Sequence, residues 1–185
     1  HNWIKKTVDL SIEHNVAIGA HPSYPDLAGF GRREMSLSSE EIENLIKYQV
    51  GALIGFVGIE NIAHVKPHGA LYNKAVKDEV TARAIISAIK SISENLIHVV
   101  LAGSLWEKIA TELGVKISRE TYADRELMSD GTLCPRTVNG SVLEDTKKIV
   151  DRTLQMIKTN EVQSFDGGVI KINFGFNSVF WNISF

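Results

Sequence analysis

Short apolar segments typical of buried strands alternate along this 185-residue chain with longer segments that carry a helical period. The alternation favours parallel strands covered by helices, because each helix returns the chain to the same edge of the sheet. The chain is short for a closed eight-stranded barrel, so we expect an α/β fold built as an irregular or incomplete (β/α) barrel of parallel strands, in one domain over residues 1–185. Strands are predicted at residues 16–20, 61–65, 97–102, 115–118 and 169–173, and helices at 2–15, 38–56, 78–93, 104–113 and 143–158.

Composition excludes several classes of function. The chain has 20 Lys and Arg against 22 Asp and Glu and no basic block, which argues against a nucleic-acid partner. No apolar run approaches the roughly 18 residues that span a bilayer, so no membrane partner is expected. Residues 1–6 have no apolar signal-peptide core, and the single cysteine, Cys134, can form neither an internal disulfide nor a cysteine-based zinc site. We therefore expect a cytoplasmic protein.

The first polar cluster follows the first predicted strand. It places His21, Asp26, Arg32 and Arg33 in one long loop, whose prolines and glycines restrict the backbone. A long loop between a strand and a helix is more often functional than idle. The alternative is a rigid surface loop with solvated arginines.

The second cluster, residues 66–73, follows the second predicted strand. Lys66 and His68 stand on either side of Pro67, and Tyr72 lies close by in the sequence. An imidazole can move protons near neutral pH, and an ammonium group can hold an anion or polarise a carbonyl. We expect the Lys66 ammonium to point into a cleft and to serve a ligand rather than the fold. For His68 taken alone, an ordinary packed histidine is the alternative.

The third cluster combines Glu120, Asp124 and Arg125 with Arg136 further along the chain. Paired carboxylates can divide the roles of acid and base between them. The alternative is a set of local surface ion pairs, which would contribute little to stability. Cys134, close to Arg136, is more typical of a small buried apolar residue than of a nucleophile.

All three clusters follow predicted strands. The carboxyl ends of parallel strands meet at one edge of the sheet, where α/β enzymes build their sites. We therefore predict that His21, Lys66, His68 and Asp124 line one cleft. The chain has neither a Gly-rich phosphate loop ending in Lys-Ser/Thr nor a G-x-G-x-x-G fingerprint, so a nucleotide would be held in another way or on another subunit.

Together, the clusters resemble the LamB/YcsF family of lactam utilisation proteins. The matching strings are residues 19–26, 29–33, 65–73 and 123–125, and the resemblance covers about residues 7–152. It implies a distorted (β/α) barrel related to the glycoside hydrolase and polysaccharide deacetylase barrels. It also implies ATP-dependent ring opening of 5-oxo-L-proline to L-glutamate, with ATP as co-substrate and 5-oxoprolinase subunits B and C as partners. A homo-oligomer is left open.

The chain departs from the family pattern at both ends. Family members begin earlier, with an Asp-rich first strand, whereas this chain opens at His1. Members also carry a Val-His-Gly-Asp segment after the last strand, where this chain runs from Ile172 and Asn173 into residues 174–176, Phe-Gly-Phe, and an apolar tail at residues 179–181. We therefore expect a domain that lacks the family's N-terminal strand and has an atypical C-terminal tail.

The residue chemistry and the resemblance agree in kind. We expect His21, Lys66, His68 and Asp124 to be catalytic, with the two histidines moving protons. The expected substrate-binding residues are Asp26, Arg32, Arg33, Tyr72, Glu120, Arg125 and Arg136.

Two other functions are open at this point. The first is a metal-dependent, deacetylase-like hydrolase, in which His21 and acidic or histidine groups upstream would hold a divalent metal that activates water. The second is a subunit that only binds substrate while its partners carry the chemistry.

Overall fold

Strands and helices alternate through the computed structural model, which describes residues 2–172 and 178–180. The helices are α1 Asn2–Glu13, α2 Ser39–Val57, α3 Gly69–Ala75, α4 Glu79–Ile92, α5 Leu105–Glu112 and α6 Thr146–Thr159. The strands are β1 Ile18–Ala20, β2 Ile62–Val65, β3 Ile97–Leu101, β4 Ile117–Thr121, β5 Glu161–Gln163, β6 Val169–Lys171 and β7 Ser178–Phe180. No helix among these residues is long and apolar enough to cross a membrane.

Five of the strands form one parallel sheet in the order β1-β2-β3-β4-β7. This confirms the predicted α/β class with parallel strands, while closure into a barrel stays a prediction. In the β1–β2 pair, Ala20 lies opposite Val65. Because both strands end there, the two loops that follow them begin side by side.

The last predicted strand, at 169–173, does not join the parallel sheet. Residues 169–171 form β6, which pairs antiparallel with β5, and residue 173 lies outside the described residues. The connection between the two strands is too short for the crossover that parallel pairing needs. It is instead a turn closed by the Ser164 N–H, which donates to the Gly168 carbonyl at 2.8 Å. The dipeptide Asp166-Gly167 is a hairpin signal in the sequence that predicts this turn.

Helix α2 begins at the capping box that the sequence contains. The Ser38 N–H donates to Glu41 Oε2 at 2.7 Å, and the Glu41 N–H donates to Ser38 Oγ at 3.3 Å. From this start, Ile42, Ile46 and Val50 turn inward and are buried where α2 packs against α4 and the sheet. This packing supports β1 and β2 from beneath and leaves their carboxyl ends open for the polar loops.

Candidate active site

The loops after β1 and β2 are joined by backbone hydrogen bonds that continue the sheet pairing. The Lys66 N–H donates to the Ala20 carbonyl at 2.9 Å, and the His68 N–H donates to the Pro22 carbonyl at 2.8 Å. These bonds fix His68 beside the residues that flank His21. Side chains that are far apart in the sequence are therefore held by main-chain contacts rather than by flexible side-chain packing.

A second point of contact between the loops requires glycine. The backbone of Gly69 has φ +61°, and a Cβ at this position would lie 2.5 Å from the Gly31 carbonyl oxygen. The same carbonyl accepts a hydrogen bond from the Ala70 N–H at 2.9 Å. Glycine at position 69 therefore allows both the left-handed backbone and the close approach of the two loops.

A side-chain contact at the strand ends joins the two predicted histidines. His21 Nε2 lies 2.9 Å from His68 Nδ1, although 47 positions separate the residues in the chain. The outer nitrogens are held by backbone carbonyls: His21 Nδ1 lies 2.5 Å from the Lys66 oxygen, and His68 Nε2 lies 2.9 Å from the Phe30 oxygen. Both rings are thus fixed from both sides.

These partners determine where the protons of the pair are. Carbonyl oxygens only accept, so the outer nitrogens of His21 and His68 carry N–H groups. The facing nitrogens, 2.9 Å apart, then need one further proton between them to form a hydrogen bond. Burial, together with the positive groups nearby, lowers the pKa of His21 to about 4. His21 is therefore neutral at neutral pH and can accept a proton shared between the two facing nitrogens.

Lys66 lies beside this pair and is already engaged by a buried carboxylate. Its Nζ lies 2.7 Å from Glu120 Oε2, and Glu120 is fully buried. Tyr122 donates its hydroxyl to the other carboxylate oxygen at 3.3 Å. Burial and the Glu120 charge raise the pKa of Tyr72 well above its usual value. The expectation that Lys66 serves only a ligand is therefore wrong, because its ammonium also compensates the buried charge of Glu120.

The sequence also misplaced Glu120, which was expected in a loop after the fourth strand. Strand β4 runs through Thr121, and Glu120 pairs with Leu101 of β3. From inside the strand, its side chain reaches Lys66 in the loop after β2, two strands away in the sheet.

A cavity of about 390 Å³ opens at this edge of the sheet. Its wall is cationic, and none of the described residues that line it carries a carboxylate. Of the predicted site residues, it is lined by His21, Arg32, Lys66, His68, Tyr72, Arg125 and Arg136. Three of the four predicted catalytic residues therefore share one cavity.

Asp124, the fourth, does not line that cavity. It is buried, and its charge acts on Arg125 and Arg152. Glu120 and Asp124 therefore do not face a common space as a working carboxylate pair.

Asp26 and Arg33 form an ion pair with each other, and neither residue lines the cavity. Arg33 Nε lies 3.0 Å from the Asp26 carboxylate, which also accepts from the Gly29 N–H at 2.9 Å. The hydrogen bond from Arg33 is the main reason that the pKa of Asp26 falls to about 2. This pair shapes the loop after β1 and so acts on the position of His21.

Arg152 was missed by the sequence reasoning. From helix α6 it donates to the carbonyl oxygens of Tyr122 and Arg125, at 3.2 and 2.8 Å, and to Glu126 at 3.1 Å. It thereby anchors the loop that carries Arg125. In the sequence it is one charge among several on an amphipathic helix, so no local pattern distinguishes it.

A divalent metal at His21 does not fit the described residues. Both ring nitrogens of His21 are engaged, one by the Lys66 carbonyl and one by His68. Within residues 2–172 and 178–180, no group of three or more His, Cys, Asp or Glu side chains could hold a metal ion.

Curated relatives match nearly the whole chain. It is 47% identical over 171 residues to a protein of Pyrococcus abyssi and 45% identical over 174 residues to one of Oceanobacillus iheyensis, both named as the A component of 5-oxoprolinase. The alignments cover 91% and 93% of this chain, and 67% and 68% of those proteins. The chain thus spans about two-thirds of the length of these relatives.

A solved structure agrees with the sequence comparisons. The crystal structure of the lactam utilization protein from Thermus thermophilus matches with a TM-score of 0.82 and 42% identity, over 95% of this chain and 71% of that one. A sequence model of the LamB/YcsF family matches residues 1–179. With this match and with relatives at this level of identity, the chain belongs to the LamB/YcsF family.

Proposed function

We propose that the chain is the A component of an ATP-dependent 5-oxoprolinase, which hydrolyses 5-oxo-L-proline to L-glutamate together with subunits B and C. The names of its relatives support this proposal. The observation that carries it is the His21–His68 contact in the wall of a cationic cavity. Such a cavity suits a small anionic substrate whose ring nitrogen must gain a proton.

The reaction needs ATP because a ring amide is unreactive at neutral pH. Transfer of the γ-phosphoryl group to the amide oxygen releases ADP and makes the ring carbonyl carbon a better electrophile. Water then adds to that carbon, the ring C–N bond breaks, and the nitrogen takes up a proton. A second water releases phosphate. The sum converts 5-oxoproline, ATP and two waters into glutamate, ADP and phosphate.

The cavity residues divide these tasks. The His21–His68 pair holds a shared proton and delivers it to the leaving nitrogen, which is general acid catalysis. The Lys66 ammonium, positioned by Glu120, stabilises negative charge on the amide or phosphoryl oxygen. The arginines bind the anionic groups of the substrates. Asp26 and Arg33 are positioning residues for the first loop.

Dependence on partner subunits is supported by the names of the relatives, each given as one component of 5-oxoprolinase. The chain also carries no phosphate-binding loop signature in its sequence, and we expect ATP turnover to depend on the assembled complex. We expect negligible ATP-driven cleavage by the chain alone and robust glutamate formation when subunits B and C are added.

The test is an assay of glutamate release and 5-oxoproline-dependent ATP hydrolysis, with and without the partners. The surface variant Lys147→Gln on α6 is the control and should behave as wild type. Robust turnover by the chain alone would overturn the dependence on partners. Failure of the complex to form glutamate would overturn the function. Full activity of a complex that contains His68→Asn would instead support a subunit that only binds substrate.

A further inference from the structure

We propose that Arg125 and Arg136 form a subsite for the carboxylate of a cyclic amide. The identity of that amide as 5-oxoproline rests on the proposed function, whereas the subsite itself rests on the geometry of these two arginines.

Arg125 is a buried cation, and one of its donors has no partner among the described residues. It is 8% exposed, and its Nη2 donates to the Cys134 carbonyl at 2.7 Å. Among the described residues, its Nε has no hydrogen-bond partner. Leaving a buried donor of a charged group unsatisfied is costly, so this N–H favours an acceptor supplied from outside the chain. Arg125 itself lines the cavity, so a ligand that enters there comes close to its guanidinium group.

The charge of Arg136 makes the binding of an anion beside Arg125 more favourable. It lines the same cavity, and its charge, after burial, is the largest influence lowering the pKa of Arg125. Asp124 opposes this effect with a smaller attraction, and it does not line the cavity. An anion that contacts both guanidinium groups would offset their mutual repulsion and accept from the Arg125 Nε–H, which has no partner within residues 2–172 and 178–180.

The backbone brings the two arginines together. Residues between them fold back on themselves through an antiparallel bridge of Leu127 with Leu133 and through the Cys134 N–H, which donates to the Glu126 carbonyl at 2.9 Å. This hairpin returns the chain to Arg125 just before Arg136. The subsite is therefore built on a closed loop that Arg152 anchors from below.

A carboxylate suits this subsite better than a larger anion. A planar guanidinium matches a planar carboxylate, with two parallel hydrogen bonds in a favourable geometry. Leu133 and Pro135 also line the cavity and offer apolar contact to ring methylene groups. A small ring bound by its carboxylate here would lie in the same cavity as Lys66 and the histidine pair.

The test compares two ligands that differ only in the carboxylate, 5-oxo-L-proline and 2-pyrrolidinone. Affinities are measured by calorimetry on the full chain, alone and with its partner subunits, for wild type, Arg136→Gln and Arg125→Lys. A charge-assisted hydrogen bond contributes about 1.5–3 kcal/mol, or roughly 10–100-fold in affinity. We expect wild type to prefer 5-oxoproline by at least this factor and Arg136→Gln to lose most of the preference. Binding of 2-pyrrolidinone should not change.

Controls separate a local effect from net charge and from unfolding. Arg83→Gln removes an equal charge from the exposed face of α4 and should keep the preference. Arg125→Lys keeps the positive charge but loses the planar set of guanidinium donors. It should weaken 5-oxoproline binding without a change in the circular dichroism spectrum.

Each remaining outcome counts against the subsite. Equal binding of the two ligands by wild type overturns it and leaves the proposed function standing. If inorganic phosphate binds through Arg136 while 5-oxoproline is insensitive to Arg136→Gln, the carboxylate assignment is wrong. If the chain with its partners binds no 5-oxoproline, both the subsite and the proposed function fail.

Discussion

The imidazoles of His21 and His68 meet nitrogen to nitrogen at 2.9 Å, and a backbone carbonyl holds each ring from its other side. With the outer nitrogens protonated, the contact is a hydrogen bond only while one more proton is shared. A pair that shares this proton carries one positive charge. Because every ring nitrogen of the pair is engaged, the contact between the two rings must open before this proton can pass to a ligand as in general acid catalysis.

Replacing His68 tests this proton sharing. His68→Asn removes the donor to His21, and we expect glutamate formation by the complex to fall by about 10²–10⁴-fold, the usual contribution of general acid–base catalysis. The ¹⁵N resonance of His21 Nε2 should shift, since it loses its hydrogen bond. His14→Gln, at the exposed end of α1, is the control. Normal turnover with an unchanged His21 resonance would contradict the proposed pair.

Lys66 and Glu120 should be coupled in stability. Lys66→Ala leaves the Glu120 carboxylate buried without its cation, and breaking a buried pair in this way costs about 3–5 kcal/mol. The double variant Lys66→Met with Glu120→Gln removes both charges and should recover most of that loss in urea denaturation. Lys147→Ala, which breaks an exposed pair with Asp151 on α6, should leave stability nearly unchanged. A single Lys66→Ala variant as stable as wild type would show that Glu120 needs no partner.

Two glycines offer a matched comparison. Gly69→Ala forces a left-handed backbone on alanine, which costs about 1–2 kcal/mol, and its Cβ would meet the Gly31 carbonyl. Gly51→Ala, in the middle of α2 with nothing within 4 Å of the added Cβ, should stabilise by about 0.5–1 kcal/mol. Thermal unfolding measures both. We also expect Gly69→Ala alone to perturb the His21 and His68 resonances, and equal effects of the two variants on stability would refute the close approach of the loops.

His98 should make stability depend on pH. It is 2% exposed in β3, and burial lowers its pKa to about 4, against about 6.5 in an unfolded chain. Between these values the unfolded state binds more protons, so stability should fall by roughly 3 kcal/mol from this group as the pH drops from 6.5 to 4. His21 has a pKa lowered in the same direction and adds to the slope.

Urea denaturation at several pH values measures this slope. His98→Gln should reduce it between pH 6.5 and 4, whereas the exposed control His14→Gln should not. An unchanged slope in His98→Gln would contradict a buried neutral imidazole at this position.

Local signals predicted much of the fold. The capping box at Ser38 located the start of α2, and the turns at His21 and Lys66 located the ends of β1 and β2. Helix α3 was not predicted, because seven residues are too short to show a helical period and its first residue is a glycine with positive φ. It forms because the Gly31 carbonyl receives its second N–H, a contact that local sequence does not reveal.

The candidate site, like the fold, could be predicted from the sequence only in part. The rule that parallel strands end at one edge brought His21, Lys66 and His68 together from sequence. This rule could not show whether the Asp124 side chain lines the cavity, because the direction of a side chain beyond a strand end depends on the packing around it. It also could not reveal that Lys66 already has Glu120 as a partner, since that pair spans 54 positions and forms only when β2 and β4 lie in the same sheet.

The alignment of Ala20 with Val65 allows correct pairing of β1 with β2 to be checked in the folded protein. Because the register of β1 against β2 sets which side chains leave the sheet together, a slip of one residue would turn one imidazole toward the opposite face. Such a molecule could keep its helices but would lose the contact between His21 and His68. The histidine resonances therefore report on strand register, and they distinguish a correctly paired chain from one that is only compact.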